Sequence, residues 1–112
     1  MHEHETDSDG RTLCTTSGEA PSKVRAEQVE LAGQHKSYIV LCEEERRKGF
    51  VRPYRDAYKH AACGTVTTMG RALSETYARD PSFYGATFCV RCDAHFPVAQ
   101  FTWTADGEIV GS

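Results

Sequence analysis

The first ten positions carry no large apolar residue after Met1, and beyond them apolar residues come in short runs separated by turn formers. Residues 1–20 therefore read as a mostly disordered acidic lead, with the turn-rich "TLCTTSGEAP" at its end, and residues 21–112 as one domain. In "EQVEL" Val29 and Leu31 alternate with polar residues, "AGQHKS" is polar, and "YIVLC" is a β-branched apolar run. That pattern predicts a β-hairpin pairing 27–31 with 37–42; a helix over 22–32 competes, since "SKVRAEQVEL" has good helix formers but a poor apolar stripe. The charged "EEERRKG" predicts a helical turn ending at Gly49, and "FVRPYRDAYKH" a strand with one solvated edge.

The clearest element is a helix over 69–79. Met69, Ala72, Leu73, Thr76 and Tyr77 fall at i, i+3, i+4, i+7 and i+8 and so share one stripe, with Met69 and Tyr77 expected in the core. Thr68 is placed to cap it, Glu75 to pair with Arg79, and Asp80-Pro81 to stop it. After the helix, "FYGATFCV" reads as a strand, "VAQFTWT" as another with Ala99, Phe101 and Trp103 on one face, and Asp106-Gly107 as a tight turn into "EIV". Strands around a helix predict an α+β fold, a small antiparallel sheet with one central helix.

Composition narrows the class. With 112 residues, 39% hydrophobic and 26% charged, the chain suits one globular domain, and no apolar run approaches the roughly 20 residues that cross a bilayer. The opening "MHEHETDSDG" has no basic cluster followed by an apolar core, so the expectation is no secretory signal, a reducing compartment and five cysteines held as thiols or metal ligands. Charge is uneven. Residues 1–45 hold four Lys or Arg against ten Asp or Glu, whereas residues 46–112 hold nine against six. The second half also interleaves Arg46, Arg47, Lys48, Arg52, Arg55 and Lys59 with Tyr54 and Tyr58, the pairing of cations and rings that suits single-stranded nucleic acid. An overall pI near 5.9 and the acidic first half favour a protein partner instead, and the sequence leaves the two undecided.

Chemistry concentrates in two short stretches. "CVRC" places Cys89 and Cys92 at i and i+3, and "HAACG" places His60 and Cys63 at the same spacing with Gly64 after them. Such pairs sit on tight turns whose backbone N–H groups face the sulfur, and glycine supplies the positive φ at the exit. His60, Cys63, Cys89 and Cys92 together make a Cys₃His set suited to tetrahedral Zn²⁺, and four protein ligands leave no open position, so the expected site is structural. The 25 residues between the pairs accommodate a helix and a returning strand. His95, three residues after Cys92, is the alternative fourth ligand, with Asp93 placed to orient a ring. Disulfide exchange fits poorly, because Cys89-x-x-Cys92 opens into a strand with Pro97 rather than into a helix. Zinc-deaminase chemistry lacks its proline before the first cysteine, where Phe88 stands. No P-loop, G-x-S-x-G or paired-carboxylate arrangement is present. Cys42 reads as a core thiol; a second metal site from Cys14, Cys42 and His35 is the alternative.

From "KGFVRPYR" through "HAACGTVTTMG", "SETYARDPSFYGATFCVRC" and "HFPVAQFTW", residues 47–112 resemble small, functionally uncharacterised zinc-ribbon-like proteins of bacteriophages and prophages. The resemblance implies a zinc-ribbon-like part over residues 50–112 and a phage accessory protein in the bacterial cytoplasm; it supplies no activity. The expected function is thus a non-enzymatic recognition module binding a host protein or nucleic acid, possible inhibition of a host system included. A virion or assembly component is the alternative, and a zinc-containing nuclease or redox enzyme a more distant one.

Overall fold

In the computed structural model, which describes residues 5–7, 10–27, 33–35 and 37–112, the chain is an α+β globule of small antiparallel sheets and short helices. Instead of one sheet, the described residues form three. The first contains β1 (Glu5–Thr6), β2 (Thr12–Thr15) and β3 (Ile39–Leu41), in that order, with Leu13 opposite Leu41 and Cys14 opposite Val40. β2 is its central strand, so the disordered-lead reading of residues 1–20 is corrected over the described positions. What it missed is the alternation in "TLCT": Leu13 and Thr15 face inward while Thr12 and Cys14 lie half-buried.

The partner predicted for the apolar "YIVLC" run is also corrected. Among the described residues β3 pairs with β2, and residues 21–27 form a helix, α1 (Pro21–Glu27), with Val24 buried, in line with the competing helix over 22–32; 28–31, the rest of the proposed hairpin strand, lie outside the described residues. Cys14 and Cys42 are joined in a disulfide. Neither is a free thiol or a metal ligand, and His35 is stacked on His95 elsewhere, with centroids 4.1 Å apart. Spacing along the chain carries no sign of a bond between residues 28 apart.

A single turn, α2 (Glu43–Arg46), follows as predicted, and Gly49 beyond it has φ of 122°. The second sheet runs β5 (Val66–Thr68), β4 (Ala57–His60), β8 (Phe101–Trp103), and the third pairs β6 (Ala86–Cys89) with β7 (Ala94–Pro97). Helix α3 (Arg71–Arg79) packs between the sheets, two residues shorter at its start than its periodicity predicts. Gly70 rather than Thr68 precedes it, and Thr68 belongs to β5. Glu75 reaches back to Arg71 at 3.0 Å and to Arg46, not forward to Arg79.

The main core lies against α3. Tyr58, Tyr77, Phe101, Trp103 and Val110 are buried there with Cys89, and Met69 packs at its margin. Tyr58 and Tyr77 meet Trp103 edge-to-face, at centroid distances of 6.1 and 5.4 Å; each such pair contributes about 0.5–1.5 kcal/mol beyond area burial. Phe101 and Trp103 face inward from β8 as predicted, but Val98–Gln100 forms a 3₁₀ turn that leaves Ala99 exposed. The Asp106-Gly107 turn forms, with Gly107 at φ of 76° and its N–H donating to Trp103 O. Polar bonds tie the first sheet and Arg11 beside it to α3 and the segment that follows: Leu41 N–H donates to Thr76 Oγ1, Tyr84 OH to Ile39 O at 2.6 Å, and Arg11 pairs with Asp80 at 2.7 Å. Among the described residues no helix is long and apolar enough to cross a membrane.

Candidate metal centre

Each ligand pair occupies the tip of an antiparallel hairpin. His60 ends β4 and Cys63 lies in the turn to β5; Cys89 ends β6 and Cys92 lies in the turn to β7. The two turns are built alike. Gly64 N–H donates to His60 O at 2.7 Å, and Asp93 N–H donates to Cys89 O at 2.9 Å, the same five-residue closure. The residue after each second ligand then takes a left-handed conformation, Gly64 at φ 72° and Asp93 at φ 54°. Glycine enters that region without steric cost; aspartate is among the few other residues that tolerate it. Asp93 is therefore a backbone residue of the turn, not the ring-orienting group its position between Cys92 and His95 suggests.

His60 Nδ1 and the three Sγ atoms lie within 4.8 Å of one another, a group that can hold a metal ion. His60 Nδ1 is 3.6 Å from both Cys63 Sγ and Cys92 Sγ, and Cys63 Sγ is 3.5 Å from Cys89 Sγ. Around a tetrahedral ion with bonds of about 2.0–2.3 Å, donor atoms stand about 3.5–3.8 Å apart, so these separations fit.

The imidazole is held from behind. Its Nε2 lies 2.9 Å from Gln100 Oε1; an amide oxygen only accepts, so Nε2 carries the proton and Nδ1 presents its lone pair to the thiols. Phe101 stacks on the ring at 4.5 Å and Phe96 leans on it at 4.7 Å. His60 and Cys89 are fully buried, Cys63 half-buried, and Cys92 exposed, so the group opens to solvent on one side. The Cys63 thiol is lowered to about 6, chiefly by the Thr65 backbone N–H with the Thr65 side chain and Cys89 adding to it. Cys92 moves the other way, to about 11, through desolvation and the neighbouring Cys89 and Cys63 sulfurs. One thiolate is thus favoured by the turn itself, and further thiolates at this spacing require a cation among them.

No protein-family model, curated protein or solved structure matches the chain. The centre must be read from its own residues.

His95, the alternative ligand, lies outside the group. The β6–β7 register sets it opposite Phe88 while Cys89 faces Ala94, and alternation turns it to the other side of the hairpin. There its Nε2 is 2.9 Å from Tyr38 OH. Gln100 and the two phenylalanines carry no signal of this contact in the sequence, since closure of β8 onto β4, with Phe101 opposite His60, and packing of the β6–β7 hairpin that carries Phe96 bring them to the imidazole.

The eight residues of the cation-and-ring segment do not form one surface. Arg55 is buried, 2.9 Å from Glu108 and 3.1 Å from Asp106, with its guanidinium 4.9 Å from the Trp103 ring centre. Tyr58 is buried too and donates to Phe88 O. Arg46 pairs with Glu75, Arg47 with Glu43 at 2.8 Å, and Lys48 with Glu45 at 2.9 Å. Arg52, Tyr54 and Lys59 are exposed, and beside the first two Phe50 and Val51 stand out at 46% and 58% exposure. Strand alternation in β4 explains the split, since Tyr58 must point inward if Lys59 points out.

Proposed function

We propose that the protein is a non-enzymatic recognition module braced by one structural Zn²⁺ on His60, Cys63, Cys89 and Cys92. The observation that carries this reading is the convergence of four N and S donors from two hairpin tips, all within 4.8 Å of one another and three of the pairs 3.5–3.6 Å apart. Three thiolates and an imidazole are a borderline-soft set that suits zinc, and a complete set of protein ligands leaves no position for substrate or activated water. Zinc here would neutralise thiolate charge and lock the hairpins together. The phage accessory role belongs to the resemblance over residues 47–112. Cytoplasmic placement belongs there too, and the Cys14–Cys42 bond weighs against a persistently reducing compartment.

The partner we favour is a protein. Of the eight residues that suggested nucleic acid, Arg55 and Tyr58 are buried and Arg46, Arg47 and Lys48 are ion-paired within the fold. The exposed remainder is Lys59, alone on β4, and Arg52 with Tyr54, which stand beside exposed Phe50 and Val51; that second stretch is apolar-rich with one cation, closer to a protein-contact surface than to a phosphate track.

Elemental analysis of the purified protein tests the metal and should find about one zinc per chain, lost in Cys89→Ser; a metal-free protein would sink the reading. Gel shifts at low salt test the partner class. A shift that weakens steeply as salt rises would move the assignment to nucleic acid, whereas capture of a protein that depends on Phe50 and Tyr54 supports a protein partner.

A further inference from the structure

We propose that the cavity between α3 and strands β5 and β6 is a binding site for a small, neutral, planar aromatic molecule of one or two rings. The cavity, open to solvent on one side, has a volume of about 290 Å³, and Tyr58, Thr67, Met69, Leu73, Tyr77 and Thr87 contribute to its walls. A dry apolar cavity of about 150 Å³ already admits benzene, so this one has room for a fused pair of rings.

The packing of the helix stripe points to an occupant. Leu73 and Tyr77 lie four residues apart on one face of α3, and Met69 stands just ahead of the helix, before Gly70. Here Tyr77 is 3% exposed whereas Met69 and Leu73 are half-buried and line the hollow. Among the described residues two apolar side chains thus border open volume beside a tightly packed core, with surface that a ligand ring would cover. Tyr58, Tyr77 and Tyr84 line the same space, which favours flat aromatic over aliphatic guests.

The polar groups set the rest of the chemistry. Thr87 Oγ1 donates to Tyr58 OH at 3.1 Å, and Tyr58 OH donates to Phe88 O at 2.5 Å. With its proton committed to Tyr58 and the Tyr77 hydroxyl also beside it, Thr87 Oγ1 keeps one lone pair to offer a ligand. Thr67 Oγ1 accepts from Val90 N–H at 3.1 Å, which leaves its own O–H as a donor. Among the described residues no Lys, Arg, Asp or Glu lines the cavity, so a charged ligand would find no fixed opposite charge there. A heteroaromatic ring with an N–H and an acceptor atom matches this wall.

The cavity stands apart from the zinc reading, although Val90 lies between Cys89 and Cys92 and ties one wall to that turn. Titration of the intact, as-purified protein with indole, followed by backbone amide NMR with metal content measured alongside, tests it. Saturable shifts around residues 67–77 and 86–88 are expected, with cyclohexanol weaker by about tenfold or more. Indole should also bind more tightly than 1-methylindole, and Thr87→Val should remove that preference. Leu73→Trp, which fills the hollow, should abolish indole shifts while leaving metal content unchanged. No saturable response to indole, equal binding of cyclohexanol, or an indole preference untouched by Thr87→Val overturns the proposal. Indole binding by protein that proves metal-free would uphold the cavity and refute the zinc assignment alone.

Discussion

The sheet β1–β2–β3 and the two hairpins that carry the metal-ligand group each rely on cysteine, but for different purposes. In the first, Cys14 and Cys42 join strands that already share a hydrogen-bonded register, Leu13 opposite Leu41 and Cys14 opposite Val40. The bond adds to order that the backbone already imposes. In the second, among the described residues no ladder joins β5–β4–β8 to β6–β7. Their tips meet through His60, Cys63, Cys89 and Cys92, with Val90 N–H to Thr67 Oγ1 as a polar bond close by. Coordination there would stand in for missing backbone pairing, so removing it should cost far more than removing the disulfide.

The sharpest way to break the comparison is to remove the zinc we propose. Structural zinc is worth about 10–16 kcal/mol apparent in small fingers, against a net stability of about 5–15 kcal/mol for an ordinary domain. Cys89→Ser, or a strong chelator, is therefore expected to unfold at least residues 57–103, as read by circular dichroism and loss of zinc. A melting curve unchanged by chelation would show that aromatic packing around Trp103 suffices alone.

Next in size is the double substitution Cys14→Ser, Cys42→Ser. A bond across 28 residues removes loop entropy worth about 3–4 kcal/mol. The thermal midpoint should fall while the metal content holds. If zinc is lost together with the disulfide, the two regions fold as one unit and the contrast between them fails.

A smaller effect concerns the seam between them, where Arg11 from the first region meets Asp80 at the end of α3. Partial burial on its own would raise the Asp80 carboxyl, but the hydrogen bond from the Arg11 guanidinium, with Ser82, holds it below its ordinary value. Its folded pKa is depressed, so its stabilisation is full above the usual carboxylate range near pH 4 and is lost as pH falls through the lower, folded value. Denaturant titrations at pH 7 and pH 3 should give Asp80→Asn a deficit of about 1 kcal/mol at pH 7 that shrinks on acidification. A deficit independent of pH would place the effect outside the ion pair.

The smallest change tests the likeness of the two turns. Asp93→Gly places at φ 54° the residue type that Gly64 supplies at φ 72°, and should stabilise the protein by about 0.5–1 kcal/mol with the metal retained. A loss of stability would mean that the Asp93 side chain matters more than its backbone.

Residue spacing alone made part of this legible. The i, i+3 pairs at 60/63 and 89/92 announced the metal-ligand group because four donors on two tight turns can be recognised without knowing how the turns meet. Helix α3 was legible through its 3.6-residue period and the Asp80-Pro81 stop, and Phe101 with Trp103 through alternation. The pairing of β3 was not, because "YIVLC" suits any partner strand, and β2 is only four residues long with a weak apolar signal. Its neighbour in space was settled by contacts between residues far apart in the chain.

Local spacing and periodicity determined that this chain has a Cys₃His group, one principal helix and an α+β layout, since those features depend on residues within a turn or two of each other. Tertiary structure alone decided that Cys14 bonds Cys42, that Gln100 and two phenylalanines hold His60, and that Arg55 and Tyr58 leave the surface. Each of these follows from which strand lies beside which, and that choice is made by the packing of the whole chain.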